Sequence, residues 1–229
     1  MSATVGTVRL SGSDDPALDL LQAAVGPAVE RAEGGRGSVA GLGLLAQGVV
    51  DAAAVHLGDA RTGRSNDFFV RRVLGGEPAM LVHLWSREQG IVVPKGNPMG
   101  IRDVTDLAGT RLAWRPPGTG SRLLLTRLLR DAGVEPPPEA EQCDSHLGVA
   151  VAVATGAADA GLAVRSVAES VDAEFLPVEW EDFELAVEPE SMGLLAPLLD
   201  VLASTAVQDR VSSLSGYDLR CSGDFRIAA

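Results

Sequence analysis

One design recurs four times along this chain and constrains it more than anything else: a short apolar run, a small loop of Gly, Ser, Thr or Asp, then apolar residues at helical spacing. The loops are Ser11-Gly12-Ser13, Gly37-Ser38, Gly118-Thr119-Gly120-Ser121 and Asp144-Ser145. Strands alternating with helices in this way need crossover connections and so build parallel sheets covered by helices. The expected class is therefore α/β.

The pattern predicts a strand over 5–11, a helix over 16–25, a strand near 29–32, and a second helix that starts beyond Gly37 with Ser38 as its cap. A compact strand follows over 51–57. Two separate strands are expected at 79–85 and 90–94, with Ser86-Arg87-Glu88-Gln89 as the break between them. Ile101 to Leu107 reads as a short helix, 111–115 as a strand, and 121–132 as a strong helix ending at Gly133. Ser145 caps a helix over 147–154, and a strand at 160–164 leads to a helix at 165–171. Strands at 174–178 and 181–187 and helices at 194–202 and 206–214 complete the chain. No internal sequence repeat is visible.

The loops carry the candidate chemistry. Each presents backbone N–H groups, a hydroxyl and the positive end of a helix dipole, which together suit an anion. A Ser, Thr or Asp ahead of a helix is also an ordinary N-cap, so the argument rests on four such loops meeting at the carboxyl ends of strands. Gly118-Thr119-Gly120-Ser121 stands out because its glycines let backbone approach a ligand and Arg115 sits just ahead of it. Arg115, Arg165 and Arg87 are cationic candidates, each of which could instead pair with a carboxylate. His56 and His146 could donate to an anion from element ends. The candidate ligand residues are thus Ser11, Ser13, Ser38, His56, Arg115, Thr119, Gly120, Ser121, Ser145 and Arg165.

Several functions are disfavoured. The Gly118 loop lacks the Lys and the spacing of a phosphate-binding P-loop. The three histidines show no metal-ligand spacing, and no G-x-S-x-G elbow offers a nucleophile. A formal charge of −12 with no basic run argues against nucleic-acid contact. Cys143 and Cys221 lack C-x-x-C spacing and read as free, buried thiols. The opening MSATVGTVRL has no basic head and long apolar run, and no apolar stretch approaches the roughly 20 residues of a membrane span. The expectation is a cytoplasmic protein that contacts neither membrane nor nucleic acid. Aromatic residues are only 4% of the chain, which favours a compact anion over a stacked organic ligand.

The stretches Ser13 to Leu21, Gly37-Ser38 through His56-Leu57, Arg87 to Ile91 with Pro94 to Pro98, Arg115 to Arg122, Ala158 to Leu162 and Gly216-Tyr217-Asp218 span almost the whole chain. Together they resemble the binding-protein-like domain found in some molybdate-related transcription regulators and molybdopterin-biosynthesis proteins. That family is similar in fold to tungstate- and molybdate-binding proteins. The resemblance implies a bilobal type II periplasmic-binding-protein-like fold, with lobe I at 1–86 and 184–229, lobe II at 87–183, and two hinge segments near Trp85 to Gly90 and Val178 to Phe183. It also implies an oxyanion held by Ser11, Ser13, Ser38, Arg115, Thr119 and Ser121. Where the family pattern reads Gly-Ser-Gly-Thr, this chain has Gly-Thr-Gly-Ser behind Pro116-Pro117.

Three functions follow as expectations. The first is a sensor or carrier of a molybdate- or tungstate-type oxyanion, with no other cofactor and with a regulatory or transporter-related protein partner. The second is binding of a larger anionic metabolite such as a molybdopterin-related cofactor, for which Trp114 or Trp85 would have to face the ligand. The third is an enzyme, which would need His56, Glu88 and Asp14 clustered at a substrate.

Overall fold

The computed structural model describes residues 6–58 and 66–228. Its elements are β1 (Val8–Gly12), α1 (Pro16–Val25), β2 (Val29–Arg36), α2 (Ser38–Ala46), β3 (Ala52–Val55), α3 (Asp67–Val73), β4 (Met80–Val93), β5 (Leu112–Trp114), α4 (Gly120–Asp131), β6 (Glu139–Gln142), α5 (His146–Ala154), β7 (Ala160–Val164), α6 (Arg165–Ser170), β8 (Glu174–Val187), α7 (Ala196–Leu202), α8 (Thr205–Ser212), β9 (Tyr217–Asp218) and β10 (Phe225–Ile227). Val5, the expected start of the first strand, lies outside the described residues.

The chain divides into two units, Met1–Ser86 with Asp182–Ala229, and Arg87–Glu181. β4 and β8 each run through a division point, so the chain crosses from one unit to the other twice. Asp182 and Phe183 fall with the first unit, where Phe183 is fully buried and stacks on Trp85 at 5.5 Å between ring centres.

In the first unit β1 lies between β2 and β3, parallel to both, and β3 pairs antiparallel with the end of β8 (Ala52 opposite Val187). β10 pairs antiparallel with the start of β4. Two apolar clusters form here. Leu10, Leu18, Leu21, Trp85, Phe183, Leu198 and Val211 belong to one, and Leu42, Leu45, Val55, Val70 and Leu81 to the other. Alternate residues of β3 divide between them, Ala52 and Ala54 into the first, Ala53 and Val55 into the second, as the two faces of a strand require.

The second unit repeats the plan. β5 is parallel to β6 and β7, and β7 is antiparallel to the end of β4 (Gln89 opposite Val164). Its clusters centre on Val92, Val149, Val153 and Ala163, and on Ile91, Leu112, Trp114, Leu125 and Leu162. Helix-covered parallel strands confirm the α/β class read from the sequence.

The likeness of the units extends to one clamp. Arg9 and Asp51 share the same set of bonds as Arg111 and Asp159. The Arg backbone N–H donates to Asp Oδ2 at 2.8 Å in both, and Nη2 donates to Oδ1 at 2.7 Å in both. The Asp N–H in turn donates to the Arg carbonyl at 2.8 Å in both. The repeat is thus written in Arg-Leu and Asp-Ala dipeptides separated by 42 and 48 residues, which is why no sequence period betrays it. Hydrogen bonds from Arg9 hold the Asp51 carboxyl below the usual carboxylate range, and Arg111 does the same to Asp159. A depressed folded-state pKa contributes stability that is present above the unfolded value, about 3.9, and lost as pH falls through the folded one. The urea midpoint is therefore expected to drop below about pH 4 in the parent protein and to drop less in Asp51→Asn/Asp159→Asn.

Several expectations about elements are corrected. β4 is one strand of 14 residues, and Ser86-Arg87-Glu88-Gln89 is part of it. β8 likewise runs unbroken over 14 residues, where two strands were expected. Polar residues continue these strands because buried partners satisfy them: Arg87 Nε donates to Glu181 Oε1 at 2.8 Å. The Ile101 to Leu107 segment holds only a 3-10 turn over Val104–Leu107. Residues 189–195 are also 3-10, and α7 begins only at Ala196. α3, β6 and β10 are elements the pattern did not predict. Cys143 is buried, as expected, but Cys221 is exposed. Among the described residues no single helix is long and apolar enough to cross a membrane.

Candidate functional site

Because β1, β2 and β3 are parallel, their carboxyl ends share one edge of the first unit's sheet. The loops leaving that edge carry Ser11 and Ser13, Ser38, and His56 in turn. β1 ends at Gly12, whose φ of +105° is strained for any residue with a side chain. A Cβ there would meet the Ala54 carbonyl oxygen at 2.3 Å, and a Cβ on Gly41 would meet Gly12 Cα at 2.4 Å. Two glycines therefore let α2 press its first turn against the β1 loop, and that closeness places Ser13 and Ser38 together.

Their hydroxyl oxygens lie 2.7 Å apart, and the His56 backbone N–H donates to Ser38 Oγ at 3.2 Å. Ser13 N–H donates to the Ala54 carbonyl at 2.9 Å, which locks the loop to β3. Only one of the two hydroxyl protons can lie between the serines. The other has no acceptor among the described residues, although Ser13 and Ser38 are only 1% and 0% exposed. A buried donor without an acceptor is costly, so this edge is built to meet an acceptor atom.

Ser38 is not the cap of α2, as expected, but its first residue; the cap is Gly37, which offers no side chain. The Ser38 hydroxyl is thereby released from capping. α1 is capped instead by Asp15, whose carboxylate accepts from Ala17 and Leu18 N–H at 2.7 and 3.3 Å and from Tyr217 Oη at about 3 Å. Ser11 Oγ approaches the Gly34 carbonyl at 3.4 Å. The His56 ring stacks on Phe183 at 5.8 Å.

In the second unit β5, β6 and β7 deliver Arg115 to Ser121, Ser145 and Arg165 to one sheet edge in the same way. Arg115 is 4% exposed, and its Nη2 donates to the Asp144 carbonyl at 3.1 Å, tying the β5 loop to the start of α5. Thr119 is the cap of α4 and donates its hydroxyl to the Pro116 carbonyl at 2.8 Å, while Gly120 opens the helix. Ser145 caps α5 through Gly148 N–H at 3.0 Å, as expected. His146, the first residue of α5, is buried.

Ser121 is held by residues the sequence did not single out. Gln89 Nε2 lies 2.8 Å from Glu181 Oε1 and 2.9 Å from Ser121 Oγ. A carboxylate accepts only, so the amide nitrogen must face it and must donate to Ser121. The Ser121 proton is then left to point elsewhere, and it too has no acceptor among the described residues. A Gln in a strand 32 positions away gives no local signal of this role.

Other candidates are occupied. Arg165 donates to Glu88 at 2.6 Å and lies over the Phe175 ring at 4.5 Å, so the structure does not bring it into the Arg115 loop. The same ion pair engages Glu88, the residue on which a catalytic cluster depended. Arg87 pairs with Glu181. Trp114 is buried under Arg122, whose guanidinium sits 3.9 Å from the ring centre. Trp85 is buried against Phe183. Neither indole is placed to stack on a ligand.

The family described as a PBP superfamily domain matches residues 21–203. The Bacillus subtilis (strain 168) protein YvgK, itself described as uncharacterized, is 34% identical over 193 residues, 82% of this chain, and the chain spans 63% of that protein's length. Among solved structures, the regulatory domain of the N. meningitidis LysR-family regulator MetR aligns with a TM-score of 0.64 at 16% identity, covering 94% of this chain and 99% of its own. PhnD1 of Prochlorococcus marinus (MIT 9301), in complex with methylphosphonate, gives 0.61 at 15% identity over 93% and 92%. An ancestral arginine-binding protein bound to arginine gives 0.60 at 18% identity over 92% and 99%. The fold is the bilobal α/β fold of type II periplasmic binding proteins.

Proposed function

Because the chain belongs to the PBP superfamily domain family, we propose that it reversibly binds a small oxyanion of the molybdate or tungstate type and performs no chemistry on it. The observation that carries this reading is the surplus of serine protons. Among the described residues Ser13 and Ser38 of the first unit share one hydroxyl proton and hold the other without an acceptor, and in the second unit Ser121 has the same surplus because Gln89 donates to it. A fully deprotonated tetrahedral oxyanion is an acceptor on every face and complements such donors. Arg115 adds charge.

Catalysis is disfavoured by the partners of the same serines. Among the described residues no His, Asp or Glu side chain hydrogen-bonds Ser13, Ser38 or Ser121, so none of them has a base to activate it. Stacking of an organic ligand is disfavoured by the burial of Trp85 and Trp114. The MetR neighbour is a regulatory domain. That likeness favours a sensing role, and the proposal places the protein in the cytoplasm, where a regulatory or transporter-related protein partner would read the bound state.

The test is calorimetric titration with molybdate, tungstate, sulfate, phosphate, methylphosphonate and arginine. Molybdate or tungstate is expected to bind at micromolar concentration and to stay chemically unchanged. Preference for arginine, or no heat with any oxyanion, would overturn the proposal. Ser13→Ala is expected to weaken binding about ten- to hundredfold with little change in the melting temperature, since a buried donor to a charged acceptor is worth roughly 1.5 to 3 kcal/mol at 1.4 kcal/mol per factor of ten.

A further inference from the structure

The first unit contains an open cavity of about 550 Å³ that shares no residue with the serine loops. It is lined by Leu81, His83, Ser86, Asp182, Glu184 and the C-terminal segment from Cys221 through Gly223 to Arg226, all of which belong to that unit. A volume of this order suits a small organic molecule.

Its lining consists mainly of acceptors. The Glu184 side chain is 4% exposed. Its Oε2 accepts from Asn66 Nδ2 at 2.8 Å and from Arg226 Nη2 at 3.1 Å, whereas Oε1 accepts no hydrogen bond among the described residues. His83 Nδ1 stands 4.0 Å from Oε1, beyond hydrogen-bond reach. The His83 side chain makes no hydrogen bond among the described residues, and its backbone is held by the Asp224 carbonyl at 2.8 Å and by Gly223 N–H at 2.8 Å. Burial pushes the imidazole below its ordinary value, so a ring nitrogen is available as an acceptor at neutral pH. Asp182 accepts from Ser86 Oγ at 2.9 Å, and Asp224 adds a third, exposed carboxylate. The one lining guanidinium, Arg226, is already paired with Asp67 and Glu184. Leu81 and the exposed Phe225 ring supply an apolar wall.

We infer that this cavity is a second ligand site, taking a small cation that carries several N–H donors on an apolar stem, an alkyl guanidinium or amine. The donors reach Glu184 Oε1, Asp224 and His83, and the stem lies along Leu81 and Phe225. Ser86 and Asp182 are the residues at which the chain leaves and re-enters this unit, so an occupant touches both crossing points. The inference stands apart from the oxyanion proposal and survives its failure.

Agmatine is the probe. In calorimetry with the intact chain it is expected to bind with a dissociation constant below about 1 mM, and amide resonances of Gly223, Phe225 and His83 are expected to shift. Glu184→Gln is expected to weaken binding at least about tenfold and Asp224→Asn about threefold, as for loss of a charged acceptor at a buried and an exposed position. Asp224 is exposed, so its variant keeps the fold even if Glu184→Gln disturbs the Asn66 and Arg226 contacts. Absence of binding at about 10 mM agmatine, equal affinity in both variants, equal binding of the uncharged analogue butylurea, or shifts confined to residues outside the cavity would each overturn the site.

Discussion

Replacing Arg115 by alanine is expected to weaken oxyanion binding about thirty- to hundredfold and to abolish the stabilisation that ligand gives the parent protein in thermal melting. The magnitude follows from losing a charged hydrogen-bond donor to a charged acceptor, roughly 2 to 3 kcal/mol, at 1.4 kcal/mol per factor of ten. Arg115 is 4% exposed, and its side chain is fixed by the Asp144 carbonyl, so little entropy is lost when it meets a ligand. Arg165→Ala is the control. Its guanidinium is already engaged by Glu88 and Phe175, and affinity is expected to change less than about threefold. If the two variants lose affinity equally, the anion does not sit at the Arg115 loop. If neither does, the ligand is not held by charge in the second unit at all.

Gly12→Ala is expected to cost about 3 to 5 kcal/mol of stability, read as a fall in the urea midpoint. Two penalties combine. The residue adopts φ +105°, which alone costs an L side chain of order 1 to 3 kcal/mol. The new methyl would also have to displace the Ala54 carbonyl, 2.3 Å from its ideal position, in the strand next door. Moving that carbonyl breaks the Ser13 N–H bond to it and separates Ser13 from Ser38, so any protein that still folds is expected to lose affinity as well. Gly43→Ala, in α2, is the opposite case. An added Cβ there meets nothing within 4 Å, and the helix is expected to gain about 0.5 to 1 kcal/mol. A fold that tolerates Gly12→Ala unchanged would show that the close approach of the two loops is not what sets the serine pair.

Much of the site was legible because it lies on loops whose chemistry is local. A hydroxyl or glycine between an apolar strand and an apolar helix marks Ser11 to Ser13, Ser38, Thr119 to Ser121 and Ser145 whatever the rest of the chain does. The exact role of each was less legible. Asp15, not a serine, caps α1, because its carboxylate reaches two N–H groups, while the Ser13 N–H is bonded to the Ala54 carbonyl of β3. Ser38 became a first-turn residue once Gly37 took the cap. Cationic residues were hardest to place: Arg115, Arg165 and Arg87 look alike in sequence, and only the positions of Asp144, Glu88 and Glu181 separate them.

Strand period, loop composition and helix spacing are properties of neighbouring residues, and these by themselves determined the α/β class, the order of most elements and the loops from which a ligand could be held. Contacts between distant residues decided the rest. Ser86-Arg87-Glu88-Gln89 looks like a turn by its polarity, yet it remains strand because Glu181, 94 positions from Arg87, satisfies it in the interior. Gln89 orients Ser121, and two Arg–Asp clamps mark equivalent corners of the two units, through pairs that no local window spans. A buried polar group costs free energy unless a partner is supplied, and where that partner comes from is settled only when the chain has folded.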